Sequence, residues 1–143
     1  MNVIDRFIEY CKIETTSCED TGKCPSTDTQ FTLAQKLVEE LKKIGVDEVN
    51  MSEHCYVYAK INANTSNVAK LGLIAHVDTS FSASGANVVP TIRDYQGGDL
   101  TLEHCVIELA KNPDLINYKG QKIITSQGDT LLGCDDKGGV AII

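Results

Sequence analysis

The feature that most constrains the fold is a continuous apolar run, Leu71-Gly-Leu-Ile-Ala75, followed at once by the polar stretch His76 to Ser80. A strand buried on both faces of a sheet has this pattern, because helices cover both faces of such a sheet. Polar residues placed directly after the strand would lie at the sheet edge where α/β proteins bind ligands. The run therefore predicts an α/β fold with a ligand crevice beside residue 76.

Helical periodicity is clear in two stretches before this run. Residues 3–11 repeat apolar side chains at helical spacing. A second helix is predicted to be capped by Ser26 or Thr27 and to stop at Gly45, a residue suited to the position after a helix end. Its buried stripe is predicted to be Phe31, Ala34, Leu37, Val38, Leu41 and Ile44.

Alternating or apolar segments predict the strands. We expect neighbouring strands in 46–51 and 55–61, the buried strand 71–75, an edge strand at 88–92, and two further strands at 123–125 and 130–132. Residues 106–110 are predicted to form a helical turn, and a helix is expected to open at Val140. The fold class is thus α/β, a partial mixed sheet flanked by helices. Because Val140–Ile143 shows no polar face and no cap, we expect residues 1–143 to be the incomplete N-terminal part of one domain.

Composition excludes several classes of function. The chain has twenty acidic and thirteen basic residues, for a formal net charge of −7. Nucleic-acid and anionic-membrane partners need a basic surface. No export signal or membrane-length apolar run is visible. We therefore expect a cytoplasmic protein whose six cysteines are reduced, with Cys11 and Cys134 in the core. His54 and His104 lie in polar surroundings and are predicted to face solvent.

His76 and Asp78 are the first candidates for chemistry. Residues two apart in a strand point the same way, so both would face the crevice. A neutral imidazole can bind zinc through one nitrogen while a carboxylate on the other nitrogen fixes its tautomer. By itself the H-x-D pattern is more often an ordinary hydrogen-bonded histidine beside an aspartate.

Asp135 and Asp136 are the second candidates. Adjacent carboxylates at a turn repel each other unless a cation relieves them, and either a metal ion or Lys137 could do so. The alternative is an ordinary helix N-terminus, where acidic residues are favoured. Together with His76 the pair is more informative, because a carboxylate can bridge two metal ions about 3.5–4 Å apart in hydrolytic sites.

Four stretches, in this order and spacing, resemble the peptidase T family of zinc aminopeptidases: Pro25–Thr27, Ile74–Ser80, Tyr95–Leu100 and Thr130–Gly139. The second and fourth also mark the wider aminopeptidase and deacylase superfamily, and the Y-Q-G-G-D segment points to peptidase T. The sequence departs from the family pattern at Cys134, at Gly139 and at Phe81-Ser-Ala83. The last departure leaves the substrate contacts of that loop unassigned.

The resemblance implies a zinc-exopeptidase catalytic domain that releases the N-terminal residue from tripeptides. It implies that His76 is a zinc ligand, that Asp78 orients it, and that Asp135 bridges two zinc ions, with a cis bond between Asp135 and Asp136. The general-base glutamate and the other ligands of the family would lie beyond residue 143, as would its lid and dimerisation domain. We therefore expect this chain alone to be inactive and to bind zinc weakly or not at all.

Two other functions fit the same residues. One is a deacylase or dipeptidase of the same superfamily, and the other is a non-catalytic module that keeps the fold and binds a partner or a metal. We also expect self-association, because an incomplete sheet exposes apolar surface.

Overall fold

A computed structural model describes all residues, 1–143. It has three helices, α1 (Val3–Cys11), α2 (Gln30–Lys43) and α3 (Cys134–Ile142), and short 3-10 helices at Glu19–Thr21 and Pro113–Tyr118. Six strands form three antiparallel pairs: β1 (Glu48–Met51) with β2 (Val57–Lys60), β3 (Thr91–Tyr95) with β6 (Gln121–Thr125), and β4 (Leu100–Thr101) with β5 (Val106–Ile107). The predicted α/β class is confirmed, but the sheets are small and separate.

The main core forms where α1 packs against α3 and α2. Asn2 caps α1, because its side-chain oxygen accepts a hydrogen bond from the backbone N–H of Asp5 at 2.9 Å. Phe7 and Cys11 are then buried, as the helical spacing predicts, whereas Val3 and Ile4 of the same apolar pattern are exposed. The core residues are Phe7, Tyr10, Cys11, Leu33, Leu37, Val88 and Ala141. The predicted burial of Cys11 is confirmed.

The start of α2 differs from the prediction. The helix begins at Gln30, because Ser26 and Thr27 precede it in a turn and their hydroxyls accept hydrogen bonds from the Gln30 side chain instead of capping backbone N–H groups. Its end is as predicted, with Gly45 in the left-handed conformation at φ +87°. Ile44 was predicted to be buried and is exposed, because it occupies the C-cap, where the helix leaves the core.

The predicted pair of strands after Gly45 is confirmed. β1 and β2 are antiparallel, with Glu48 opposite Lys60 and Met51 opposite Val57. The first pair is reinforced by a 2.6 Å ion pair between Lys60 Nζ and Glu48 Oε1. The two strands contact α2, which attaches this hairpin to the main core.

The strands predicted at 71–75 and 130–132 are wrong. Neither segment pairs with another strand, and the side chains of Leu71 and Ile74 are 86% and 97% exposed. A strand needs a neighbour for its backbone N–H and C=O groups, and no strand lies beside either segment. The segment 71–75 is apolar, but the burial predicted from its composition is wrong.

A second, smaller core joins the remaining four strands. β3 begins at Thr91, later than the predicted start at 88, because Val88 is in the main core and Pro90 has no N–H for a ladder. Residues 106–110 were predicted to be a helical turn, but Val106–Ile107 pairs with Leu100–Thr101. Tyr95 organises this core: it is buried, and its hydroxyl donates to the Gly98 carbonyl at 2.6 Å.

No helix of the structure combines the length and the hydropathy required to cross a membrane.

Candidate functional site

Two segments without regular strand pairing bring the candidate side chains together. Residues 76–80 follow the exposed apolar run, and Thr79 forms an isolated parallel bridge with Thr16. Asp135 lies at the start of α3, directly after a turn in which Gly133 has φ +79°. The site therefore lies between a loop and a helix start, whereas the sequence predicted the ends of two strands.

The imidazole of His76 lies between two aspartates. Its Nε2 is 2.9 Å from Asp135 Oδ1. Its Nδ1 is 3.0 Å from the backbone carbonyl oxygen of Asp78 and 3.2 Å from Asp78 Oδ1. The structure thus brings the three predicted residues into one contact, although His76 and Asp135 are 59 positions apart.

This contact defines the chemistry of the imidazole. Both neighbours of Nδ1 are acceptors, so Nδ1 must carry a hydrogen, and in the neutral ring Nε2 then presents a lone pair. A lone pair and a carboxylate oxygen 2.9 Å apart repel unless a proton or a cation lies between them. Partial burial lowers the pKa of His76, but the hydrogen bond to Asp135 and the contacts with Asp78 outweigh it and raise the pKa above its usual value.

The two adjacent aspartates have different environments. The Asp135 carboxylate is 96% exposed, and His76 is its only hydrogen-bond and ion-pair partner. The Asp136 carboxylate turns toward the helix, where Oδ1 accepts a hydrogen bond from the backbone N–H of Gly139 at 3.0 Å. The peptide bond between them is cis, as expected. Asp136 is therefore a helix cap, and Asp135 is the carboxylate available to a ligand.

Lys137 does not relieve the two carboxylates. Its side chain is almost fully buried and its Nζ donates to the backbone carbonyl of Ile13 at 2.6 Å. Burial lowers the pKa of Lys137, and the neighbouring Cys11 and Glu14 partly oppose this shift. Of the two cations considered from the sequence, only a metal ion remains available to Asp135.

The three residues border a cleft of about 530 Å³. It is lined by His76, Asp78, Ser80, Leu131, Leu132, Gly133, Cys134 and Asp135. The predicted core position of Cys134 is wrong, because the turn at Gly133 exposes it. Ser80 was missed, although the alternation 76, 78, 80 was a signal for it. His54 and His104 are exposed as predicted and lie outside the cleft.

The types of ligand atom at the site suit zinc, but there are too few of them for a complete zinc site. Zinc accepts histidine nitrogen and carboxylate oxygen, and catalytic sites usually use three protein ligands. Here Nε2 and the exposed Asp135 carboxylate converge, and Asp78 holds the other ring nitrogen in the way that carboxylates support zinc-bound histidines. No group of three or more His, Cys, Asp or Glu side chains is arranged to hold a metal ion.

Comparison with known proteins gives a consistent result. No family model matches the chain. Proteins named peptidase T are similar to it: 48% identical over 147 residues in Parabacteroides distasonis, 47% over 146 in Geobacillus thermodenitrificans, and 47% over 144 in Clostridium perfringens. These matches cover 99–100% of the chain, and the chain spans about 36% of the length of each relative. Over its whole length, the chain is therefore similar to about a third of the length of proteins named peptidase T.

Proposed function

We propose that the protein to which this segment belongs is a cytoplasmic metallo-aminopeptidase that releases the N-terminal residue of tripeptides at a two-zinc site. His76 is proposed as a ligand of one zinc ion and Asp135 as the carboxylate shared by both. Asp78 is proposed to orient His76. Sequence similarity to proteins named peptidase T supports a peptidase. The zinc ions and the tripeptide preference are proposals that go beyond this similarity.

One observation carries the metal assignment. His76 Nε2 and Asp135 Oδ1 face each other at 2.9 Å, and the second ring nitrogen is already engaged. A cation between them would remove the repulsion and displace the proton that otherwise has to be shared. Asp135 uses only one oxygen in this contact, so the other is free for a second ion.

The residues of the segment would have distinct tasks. Bound zinc ions would polarise the scissile carbonyl and lower the pKa of a bound water. Asp78 would hold His76 as the Nδ1–H tautomer, which keeps Nε2 unprotonated toward the cleft. The Ser80 hydroxyl lines the same cleft and could bind a polar group of a peptide. A general base is not among the cleft residues, and we expect it in the part of the relatives that this chain does not span.

The segment alone is expected to show no turnover and weak zinc binding, because two donors do not complete a catalytic zinc site. Zinc-dependent hydrolysis of a tripeptide by residues 1–143 alone would contradict this expectation.

The test uses the full-length protein. Wild type, His76→Ala and Asp135→Ala are compared on a tripeptide after removal of metal with a chelator and after addition of zinc. The metal contributes several kcal/mol to the transition state, so each variant should lose at least about a thousandfold in kcat/KM. The matched control is His104→Ala, which removes an exposed histidine outside the cleft.

The substrate panel separates the alternatives. A tripeptide with a free amino terminus, its N-acetylated form, a dipeptide and an N-acyl amino acid are assayed in parallel. Preference for the free tripeptide supports the proposal, and preference for the dipeptide or the N-acyl amino acid supports a related dipeptidase or deacylase. Zinc binding without hydrolysis of any substrate would identify a non-catalytic binding module.

A further inference from the structure

The two segments that carry the candidate donors have little direct connection. Apart from the contact between His76 and Asp135, no hydrogen bond links residues 74–80 with residues 130–137. No strand pairing joins them either. Hydrogen bonds that help to fix the distance between the imidazole and the carboxylate must therefore come from another element.

Residues 13–17, here called the strap, contact both segments. On one side the strap holds the backbone of Thr79. The Thr79 N–H donates to the Thr15 carbonyl at 3.0 Å, and the Ser17 N–H and hydroxyl donate to the Thr79 carbonyl at 2.9 and 3.0 Å. Since Thr79 directly follows Asp78, these three bonds fix the segment that carries His76.

On the other side the strap holds Lys137. The ammonium group donates to the Ile13 carbonyl at 2.6 Å, across 124 positions of sequence. Lys137 is two residues after Asp135 and is 1% exposed, so this bond is shielded from water. A buried ammonium group is costly unless its hydrogen bonds are satisfied, and Ile13 supplies its only protein partner. This bond therefore strongly constrains where α3 starts.

The burial of Thr79 and its packing against Gly133 also connect the two segments. Thr79 is 2% exposed, and its hydroxyl has no partner, so the strap binds it through its backbone. A methyl group placed on Gly133 would lie 3.2 Å from Thr79 Cγ2 and 3.4 Å from Lys137 Cδ. Thr79 and Lys137 thus pack against the same glycine, and the strap, the loop and the helix start form one buried junction beneath the cleft.

We infer that the strap positions His76 and Asp135 relative to each other, and that Lys137 is a positioning residue which acts through Ile13 rather than on a substrate. The inference deepens the proposed function, on which it rests for the identity of the bound ion. The positioning itself is a property of the metal-free protein and is measured there.

The experiment compares crystal structures and metal binding of the full-length protein. Lys137→Met keeps most of the apolar stem and removes the ammonium group. In the metal-free protein, the separation of His76 Nε2 and Asp135 Oδ1 should increase beyond about 3.5 Å, the limit of a hydrogen bond. Affinity for Co²⁺, followed by the visible absorption of the bound ion, should fall about 10- to 100-fold, the effect typical of losing a group that supports metal ligands.

Lys111→Met is the matched control, because Lys111 is exposed and pairs only with Glu108. It should change neither the separation nor the Co²⁺ spectrum. If Lys137→Met does not fold, Ser17→Ala replaces it. That variant removes one side-chain bond of the strap and should give a smaller change of the same sign.

The outcomes separate the two hypotheses. A folded Lys137→Met protein that keeps the 2.9 Å contact and wild-type Co²⁺ affinity overturns the positioning role, even if it is less stable. A wild-type protein that binds no Co²⁺, while Lys137→Met still separates the two side chains, overturns the proposed metal site and leaves the positioning role supported.

Discussion

Asp135 and Asp136 are neighbours in sequence, yet their carboxylates point to different partners: Asp135 reaches His76 across the cleft, and Asp136 accepts the N–H of Gly139 in its own helix. The non-helical backbone angles at both residues produce this divergence. A methyl group on Gly139 would collide with the Asp136 carboxylate, so the glycine three residues later is needed for the cap.

Substitution of the cap should therefore affect stability. Asp136→Ala removes the side-chain acceptor at the start of α3 and should lower the free energy of unfolding by about 0.5–2 kcal/mol. Asp135→Ala caps nothing and should cost less. Urea unfolding of both variants measures the difference, and equal losses would show that Asp136 is not the cap.

Gly133 should tolerate alanine less well than Gly98, which has the same backbone conformation. Gly133 and Gly98 have φ values of +79° and +81°, but only Gly133 has atoms within 4 Å of an added methyl group. Gly98→Ala should cost about 1–2 kcal/mol for the left-handed conformation. Gly133→Ala should cost a further 1–3 kcal/mol, roughly, for overpacking against Thr79 and Lys137. Thermal or urea unfolding compares the two, and similar losses would contradict the close packing at Gly133.

Glu40 should make stability depend on pH. Burial raises the pKa of Glu40, but hydrogen bonds from Tyr10 and Lys36 outweigh it and lower the pKa below the usual value of 4.5. A lowered pKa in the folded protein stabilises it above the pKa of the unfolded chain, and this contribution is lost as pH falls through the folded value. Glu40→Gln should therefore destabilise the protein at pH 7 by about 1–3 kcal/mol and by less at pH 3.

The control for this prediction is Glu39→Gln on the exposed side of α2. Its unfolding midpoint in urea should follow that of the wild type between pH 7 and pH 3. A difference between Glu40→Gln and wild type that stays constant over this range would contradict the role of ionised Glu40.

The cysteines should react with iodoacetamide in an order set by burial. Burial raises the pKa of Cys11 to about 12, so at pH 8 only roughly one Cys11 thiol in 10⁴ is ionised and none faces solvent. The exposed residues Cys24, Cys105 and Cys134 should be alkylated first. Mass spectrometry of the folded and the urea-unfolded protein measures the order. Early alkylation of Cys11 in the folded protein would show that the main core is open.

The apolar segment 71–75 should cause residues 1–143 to self-associate when studied alone. Leu71 and Ile74 are almost fully exposed beside unpaired backbone groups, a combination that favours edge-to-edge pairing. Ile74→Lys should reduce the average mass measured by sedimentation. Lys70→Arg, which keeps the charge and precedes the segment, is the control. An Ile74→Lys protein that associates as strongly as wild type would place the contact elsewhere.

Local signals predicted the fold well where short-range contacts decide it. In α1, Phe7 and Cys11 are buried as their spacing indicates, and β1 and β2 pair directly across a short turn. Burial at 71–75 depends on a neighbouring strand, which no local pattern supplies. At Val106–Ile107 the pairing with Leu100–Thr101 outweighs the weak helical pattern.

The meeting of His76 and Asp135 was predicted, but for a different reason from the one that holds in the structure. The sequence suggested two strand ends at one edge of a sheet. In the structure, buried Lys137 and the hydrogen bonds between the strap and the Thr79 backbone bring the two side chains together. The polar residues of the strap gave no sign of this in the sequence, because backbone carbonyl groups carry much of the connection.

In the segment Tyr95-Gln-Gly-Gly-Asp-Leu100, which resembles peptidase T, the Tyr95 hydroxyl donates to the Gly98 carbonyl, and Asp99 Oδ1 accepts the N–H of Leu109 at 2.8 Å. None of its side chains borders the cleft. In this structure the side chains of the segment stabilise its own turn and contribute nothing to the cleft that holds His76 and Asp135. A match to these six residues in another protein therefore does not show that the protein also has the residues of the cleft.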